Sequence, residues 1–166
     1  MTMRRILSAT ALVTGLSLPA TVMAAQGDPA AKHERALSMQ ASGSQLMAVA
    51  RLHVESARGR APADPQAQRC LSTAAHLHYY AGSRTQARRL LIEASEVALR
   101  RGDVEYAAHS LLTAAVIAQE TKNASALEEL VQRAELLAQG PALSIAQRAA
   151  ILARIQRRGE IVAVTR

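Results

Sequence analysis

Residues 104–121 read VEYAAHSLLTAAVIAQET, and this stretch decides the fold class. Apolar side chains point in almost every direction around a helix drawn through it, from Ala107 and Ala108 to Ile117 and Ala118. A helix that is hydrophobic on all sides belongs in the interior of a protein. The stretch therefore predicts a central, largely buried helix.

The composition extends this prediction to the whole chain. Hydrophobic residues make up 49% of the 166 positions, yet Phe and Trp are absent and Tyr occurs three times. Alanine, the strongest helix former, fills 36 positions. Because β-sandwiches and barrels draw on β-branched and aromatic residues, this composition favours an all-α fold and argues against both. Low-complexity disorder is also unexpected in so apolar a chain.

Capping residues and glycines divide the chain into helices of similar length. Candidate N-caps are Asp28, Ser42, Asp64, Ser83, Asp103, Asn123 (or Ser125) and Ser144, and candidate stops are Gly59, Gly82, Gly102, Gly140 and Gly159. The predicted helices cover residues 29–41, 44–58, 65–81, 84–101, 104–121, 124–139 and 144–158, the first two alternatively continuous through Gly43. Short linkers make neighbouring helices antiparallel, so we expect six or seven antiparallel helices.

A repeat with an offset of 40 residues runs through the middle of the chain. The sequence LSTAA at 71–75 returns as LLTAA at 111–115, and the same offset pairs Leu91 with Val131 and Ala94 with Ala134. Each unit is then a helix, a tight turn and a second helix. Repeated units of this kind are typical of helical solenoids, in which stacking buries what one hairpin leaves exposed.

Residues 67–141 resemble the tetratricopeptide repeat family. The small, turn and large apolar positions of the family are matched in the first unit by Ala75, Gly82, Ala87 and Leu91. The aromatic positions of the family instead hold Leu71, His78 and Leu111, and the unit is longer than the family's roughly 34 residues. The resemblance implies a short solenoid of helical hairpins that binds a protein or peptide partner. An ordinary helical bundle is the alternative.

Residues 1–24 have the pattern of a cleavable bacterial secretory signal peptide. A basic start with Arg4 and Arg5 precedes an apolar run over 6–18, and small residues surround the expected cleavage after Ala24. A retained membrane anchor is the alternative, but the apolar run is shorter than the roughly 20 residues of a spanning helix. We expect a periplasmic or secreted all-α domain over 25–158, a tail over 159–166, and no transmembrane segment in the mature chain.

Three side chains are candidates for contact with a protein or peptide partner in the cell envelope, namely His76, Tyr80 and His109. The resemblance to tetratricopeptide repeats implies a concave groove lined by the first helix of each unit. These three side chains would lie along those first helices. His76 and His78 are two residues apart, which places the imidazoles on different sides of a helix and disfavours a metal site. No cofactor motif occurs, so neither a metal nor a cofactor is expected.

Arginine supplies 18 of the 20 basic residues, and the net charge of +7 becomes +5 once residues 1–24 are removed. The alternative function is a charge-driven binder of anionic envelope components through Arg84, Arg88, Arg89 and Arg101. The competing interpretation is a solvated helix face, partly neutralised by the pairs Arg89–Glu93 and Glu96–Arg100. Nucleic acid is not expected as a partner, because aromatic stacking platforms are missing.

Catalytic motifs are missing from the sequence, so we expect a non-enzymatic protein. The third function considered is a small exported hydrolase that uses Cys70, the single cysteine. Cys70 is otherwise predicted to be a buried small residue or a partner in an intermolecular disulfide. The apolar tail over 159–166 is expected to fray or to dock on its own or another subunit, so a homo-oligomer is an alternative.

Overall fold

The computed structural model describes residues 41–164, with side chains over 41–157, and within this range the chain is all-helical. Its helices are α1 (Gly43–Arg58), α2 (Pro65–Tyr80), α3 (Arg84–Arg100), α4 (Val104–Glu120), α5 (Ala124–Gln139) and α6 (Ile145–Val164). Six of the seven predicted helices are thereby confirmed, most of them within one residue at each end. The seventh, predicted over 29–41, and the predicted signal peptide over 1–24 lie outside the described residues.

Side-chain caps explain where most helices begin. Ser42 and Gln45 form a reciprocal capping box before α1, which separates this helix from the residues before it. Asp64 accepts from the backbone N–H of Gln66 before α2, and Asp103 and Asn123 accept from the third residue of α4 and α5. Each oxygen satisfies a backbone N–H that has no partner within the helix.

Two of the sequence-based expectations about helix ends are wrong. Ser83 makes no side-chain cap of α3, because its hydroxyl instead lies 3.9 Å from the sulfur of Met47. The sequence predicts that Gly159 ends the last helix, yet α6 continues through it to Val164. Glycine lowers helix stability by only about 1 kcal/mol and does not remove a backbone donor, so neighbouring residues can carry a helix through it.

The same turn closes three successive helices at intervals of 20 residues. Gly82, Gly102 and Lys122 have positive φ angles of 84°, 77° and 53°. The N–H of the following residue then donates to the carbonyl five residues earlier, at 2.8 Å for Ser83, 2.9 Å for Asp103 and 2.8 Å for Asn123. This left-handed closing turn satisfies helix carbonyls and reverses the chain. The 40-residue offset thus corresponds to two helix–turn modules.

The core follows the same spacing. Ala74, Ala94, Ala114 and Ala134 are all fully buried at intervals of 20 residues. The absence of bulk at these positions lets adjacent helices approach closely. Each described helix packs mainly against its neighbours in the chain, and α6 also reaches α4. The result is a consecutive array of antiparallel hairpins, in which α4 is the most buried helix, as predicted.

Every described helix is too short or too polar to cross a membrane.

Candidate functional site

The candidate residues His76 and Tyr80 lie one helical turn apart on α2 and share one side of that helix. The Tyr80 side chain is 40% exposed. Its ring meets the ring of Tyr79 edge-on, with centroids 5.6 Å apart and planes 83° apart. Edge-to-face contact is a favourable geometry for aromatic pairs, so Tyr79 supports Tyr80 from the side.

Tyr79 is itself fixed by residues from two other helices. Its hydroxyl donates to Glu120 at the end of α4 at 2.9 Å, and the guanidinium of Arg84 lies 3.6 Å from the centroid of its ring. Arg84 also donates to the Tyr79 carbonyl and lies 3.5 Å from Glu120. Partial burial and the Glu120 carboxylate raise the pKa of Tyr79, so it stays a neutral hydrogen-bond donor. The cluster of Tyr79, Arg84 and Glu120 ties together α2, α3 and α4.

The third candidate, His109, lies between α4 and α6. Its Nδ1 is 3.2 Å from one terminal guanidinium nitrogen of Arg154. The other terminal nitrogen of Arg154 donates to the Thr113 hydroxyl at 3.1 Å. Burial and the Arg154 charge lower the pKa of His109, partly opposed by Glu105. Since arginine only donates, Nδ1 must accept, which leaves the proton of the neutral ring on Nε2, 4.0 Å from Glu105.

The candidate residues of α2 and α4 lie on the corresponding sides of their two helices. On α4, Val116 and Glu120 lie seven and eleven residues after His109, spacings that keep all three on one side of the helix. By the 40-residue offset, Val116 is equivalent to His76 and Glu120 is equivalent to Tyr80. We call the side chains of His76, Tyr80, His109, Val116 and Glu120 the α2–α4 face.

The four candidate arginines are divided among several surfaces. Arg84 belongs to the cluster with Tyr79, and Arg101 donates to Gln68 at 2.8 Å. Arg88 lies on the same side of α3 as Arg84, whereas Arg89 is turned about 140° away from Arg84. Among the described residues, Arg88 and Arg89 make no ion pair.

The ion pairs expected along α3 are not formed. Neither Arg89–Glu93 nor Glu96–Arg100 is among the pairs within 4.0 Å in the described part of the chain. Arg100 instead donates from Nε to the Pro62 carbonyl at 3.0 Å. Exposed pairs of this kind contribute little free energy, so a single carbonyl acceptor is enough to redirect an arginine.

Cys70 is half-buried on α2, and its thiol lies 3.8 Å from the hydroxyl of Ser56. A serine is no base, so this contact supplies no means of activating the thiol. Within the described residues, no group of three or more His, Cys, Asp or Glu side chains is placed to hold a metal ion.

Three side chains of this region were not predicted from the sequence, namely Tyr79, Glu120 and Arg154. The 40-residue offset did contain a signal for Glu120, since it is the equivalent of Tyr80 in the next unit. Arg154 carried no such signal, because its role depends on where α6 crosses α4.

Comparisons with protein-family models, with curated proteins and with solved structures found no match for this chain.

Proposed function

We propose that this chain is a non-catalytic interaction module of the bacterial cell envelope, which binds a protein or peptide partner on the α2–α4 face. The observation that supports the proposal is the exposed ring of Tyr80, supported by Tyr79. Exposed aromatic residues that are already held in place lose little conformational entropy on binding, and they are frequent anchors of interfaces.

The surroundings of Tyr80 suit a peptide chain. Val116 on α4 adds a second apolar side chain, which is 39% exposed. Glu120 and His109 supply polar groups on either side of it, which can satisfy backbone N–H and C=O groups of a bound segment. The partner is therefore expected to combine an apolar side chain with an extended or helical backbone.

Recovery of a partner from envelope extract tests this proposal. The bait is the chain from residue 25 onward, as wild type, Tyr80→Ala and Leu136→Ala. Leu136 is the matched control, since it is exposed on α5 and outside the α2–α4 face. We expect Tyr80→Ala to lower recovery of the partner about tenfold at both low and high salt, and Leu136→Ala to leave it unchanged. Equal recovery with Tyr80→Ala and the wild type would contradict the proposal.

Export to the envelope is part of the same proposal and rests on the pattern of residues 1–24. Expression of the full chain in a bacterium should give a periplasmic or secreted product that begins at Ala25. N-terminal sequencing of the fractionated protein measures this directly. A full-length product that stays with the membrane would support the alternative of a retained anchor.

A second candidate function is charge-driven binding of anionic envelope components. It is favoured by Arg88 and Arg89, which lack carboxylate partners among the described residues. Binding to vesicles that contain anionic lipid should then fall in Arg88→Gln/Arg89→Gln and at high salt, since exposed charges are screened beyond about 8–10 Å. Binding that is independent of salt would exclude this function.

A further inference from the structure

The linker between α1 and α2 departs from the regular pattern of the array. The next three connections are residues 81–83, 101–103 and 121–123, whereas this one runs over residues 59–64. It is also held in place: Arg60 pairs with Asp64 at 3.3 Å, and Arg100 on α3 donates to the Pro62 carbonyl at 3.0 Å. These two contacts place the longer linker beside α3, where it forms a wall.

An open cavity of about 210 Å³ lies between this wall, the end of α1 and α3. Its floor is apolar and consists of buried core residues, namely Ala57, Ala67, Leu71 and Val97. Its charged lining consists of Arg58, Arg60, Arg100 and Glu93. The cavity thus combines an apolar base with a mainly cationic rim.

The charges of the rim leave one positive charge uncompensated. Arg60 is neutralised by Asp64, which leaves Arg58 and Arg100 against Glu93. The Arg58 and Glu93 side chains make no ion pair or hydrogen bond with any other described residue. Arg100 uses only its Nε toward Pro62, so its two terminal nitrogens are available for a ligand.

We infer that this cavity binds small monocarboxylates that carry a short apolar chain. A guanidinium matches a carboxylate in a planar, two-bond geometry, and Arg58 and Arg100 offer two such groups. The apolar chain would cover Ala57, Leu71 and Val97. A dianion such as phosphate is disfavoured, since Glu93 reduces the positive charge of the rim to one.

The size of the cavity limits the ligand. At about 30 Å³ for each water molecule in the liquid, 210 Å³ corresponds to about seven molecules. A carboxylate with a branched chain of four or five further carbons has a similar number of heavy atoms. Because the cavity is open, binding in the millimolar range is expected.

The probe for the test is 4-methylpentanoate. Its binding to the chain from residue 25 onward is measured by ligand-observed NMR. Its neutral amide tests the need for the carboxylate, and acetate tests the need for the apolar chain. We expect both to bind at least about fivefold more weakly, and the affinity for 4-methylpentanoate to fall at high salt. These three ligands test the site without any change to the protein.

Variants locate the site. Arg58→Gln should weaken binding of 4-methylpentanoate about threefold, whereas Arg69→Gln, an equal change of charge on the exposed side of α2, should leave it unaltered. The inference is overturned by equal binding of the acid and its amide, by equal effects of Arg58→Gln and Arg69→Gln, or by absence of binding at millimolar concentration.

Two further ligands distinguish the natural sources of such a carboxylate. Leucine carries an ammonium group that can donate a hydrogen bond to Glu93. N-acetylleucine lacks this group and resembles the C-terminal end of a peptide. Tighter binding of leucine than of N-acetylleucine assigns the site to a free amino acid, and the reverse order assigns it to a chain terminus. Neither result depends on the α2–α4 face, so failure here leaves the proposed partner interface intact.

Discussion

Among the described residues, Lys122 is the non-glycine residue with a positive φ. Its φ of 53° lies in the left-handed region, where the equivalent positions of the two preceding turns hold Gly82 and Gly102. For residues with a Cβ this region costs about 1–2 kcal/mol, and glycine pays no such penalty. The turn at Lys122 is therefore formed at the expense of stability.

Replacement of Lys122 by glycine should raise the free energy of unfolding by about 0.5–1 kcal/mol, since relief of the left-handed strain exceeds the added entropy of the unfolded chain. Gly102→Ala is the opposite change, and it should lower stability by about 1 kcal/mol. No heavy atom lies within 4 Å of the added Cβ at Gly102, so backbone strain alone is measured. Urea unfolding followed by circular dichroism gives both values. A decrease in stability with Lys122→Gly would contradict this interpretation.

We expect His109 to make the stability of the protein depend on pH. Its pKa lies below the ordinary 6.5 in the folded protein, because burial and Arg154 oppose its protonation. The unfolded chain therefore binds more protons between the two pKa values, so stability should rise with pH through this window and become level above about pH 6.5. His109→Asn keeps an acceptor for Arg154 and removes the titration.

Melting temperatures between about pH 5 and pH 8 test this prediction. The acid-side loss should be smaller in His109→Asn than in the wild type. Burial and Arg51 also lower the pKa of His78, so the double variant His78→Asn/His109→Asn should show the flattest profile. Parallel profiles of His109→Asn and the wild type would show that His109 does not titrate on unfolding.

At the scale of helices, the caps provide a matched pair of substitutions. The Asn123 side chain accepts from the Ala126 N–H at 3.0 Å, whereas Ser83, at the equivalent place before α3, makes no such bond. Asn123→Ala should lower the free energy of unfolding by about 1 kcal/mol, and Ser83→Ala should change it by no more than a few tenths. Equal losses in the two variants, measured by urea unfolding, would mean that Ser83 also caps its helix.

Helix boundaries could be predicted from the sequence because they depend on residues that are close together along the chain. The cap of Asp64 reaches only to Gln66, and the turns at Gly82 and Gly102 are closed by local bonds. Ser83 could not be assigned correctly, since Met47 is 36 residues away in the sequence. The Glu96–Arg100 pair failed for the same reason, because the acceptor of Arg100 lies in a linker that precedes it by 38 residues. The structure gives no such reason for Arg89–Glu93.

At the scale of the whole molecule, residues 145–157 of α6 bury fewer side chains than any other described helix. Ile151 is its buried side chain within the described range, supported by the partly buried Leu152 and Ile155. Its polar contacts with α4 are the bonds of Gln147 to Glu105 and of Arg154 to His109 and Thr113. An array of neighbouring contacts gives an end helix only one flank to pack against.

We therefore expect backbone amides over 145–157 to exchange with deuterium faster than those of α4, since local opening needs less free energy where fewer apolar side chains are buried. Hydrogen exchange followed by mass spectrometry measures this. Ile151→Ala should increase exchange over 145–157 further and leave α4 protected, whereas Leu136→Ala on exposed α5 surface should alter neither. Protection of α6 equal to that of α4 would contradict the prediction.

The candidate site was predictable only to the extent that it is periodic. His76 and Tyr80 could be placed together because a spacing of four fixes one side of a helix. Joining His109 to them needed the register between α2 and α4, which the 40-residue offset supplied. Arg84 could not be assigned to Tyr79 and Glu120, because that cluster depends on three helices meeting.

The equivalence of the turns at Gly82 and Lys122 has a consequence for how this protein can change in size. An in-frame duplication of residues 83–122 would join Lys122 to Ser83, a junction of the same kind as Gly82–Ser83. Two helices would be added with the same type of turn, and the second copy of α3 would pack against the first copy of α4 where it now packs against α2. Loss of the same segment would join Gly82 to Asn123 and make α5 follow α2. One hairpin is thus the unit in which the length of this array can change.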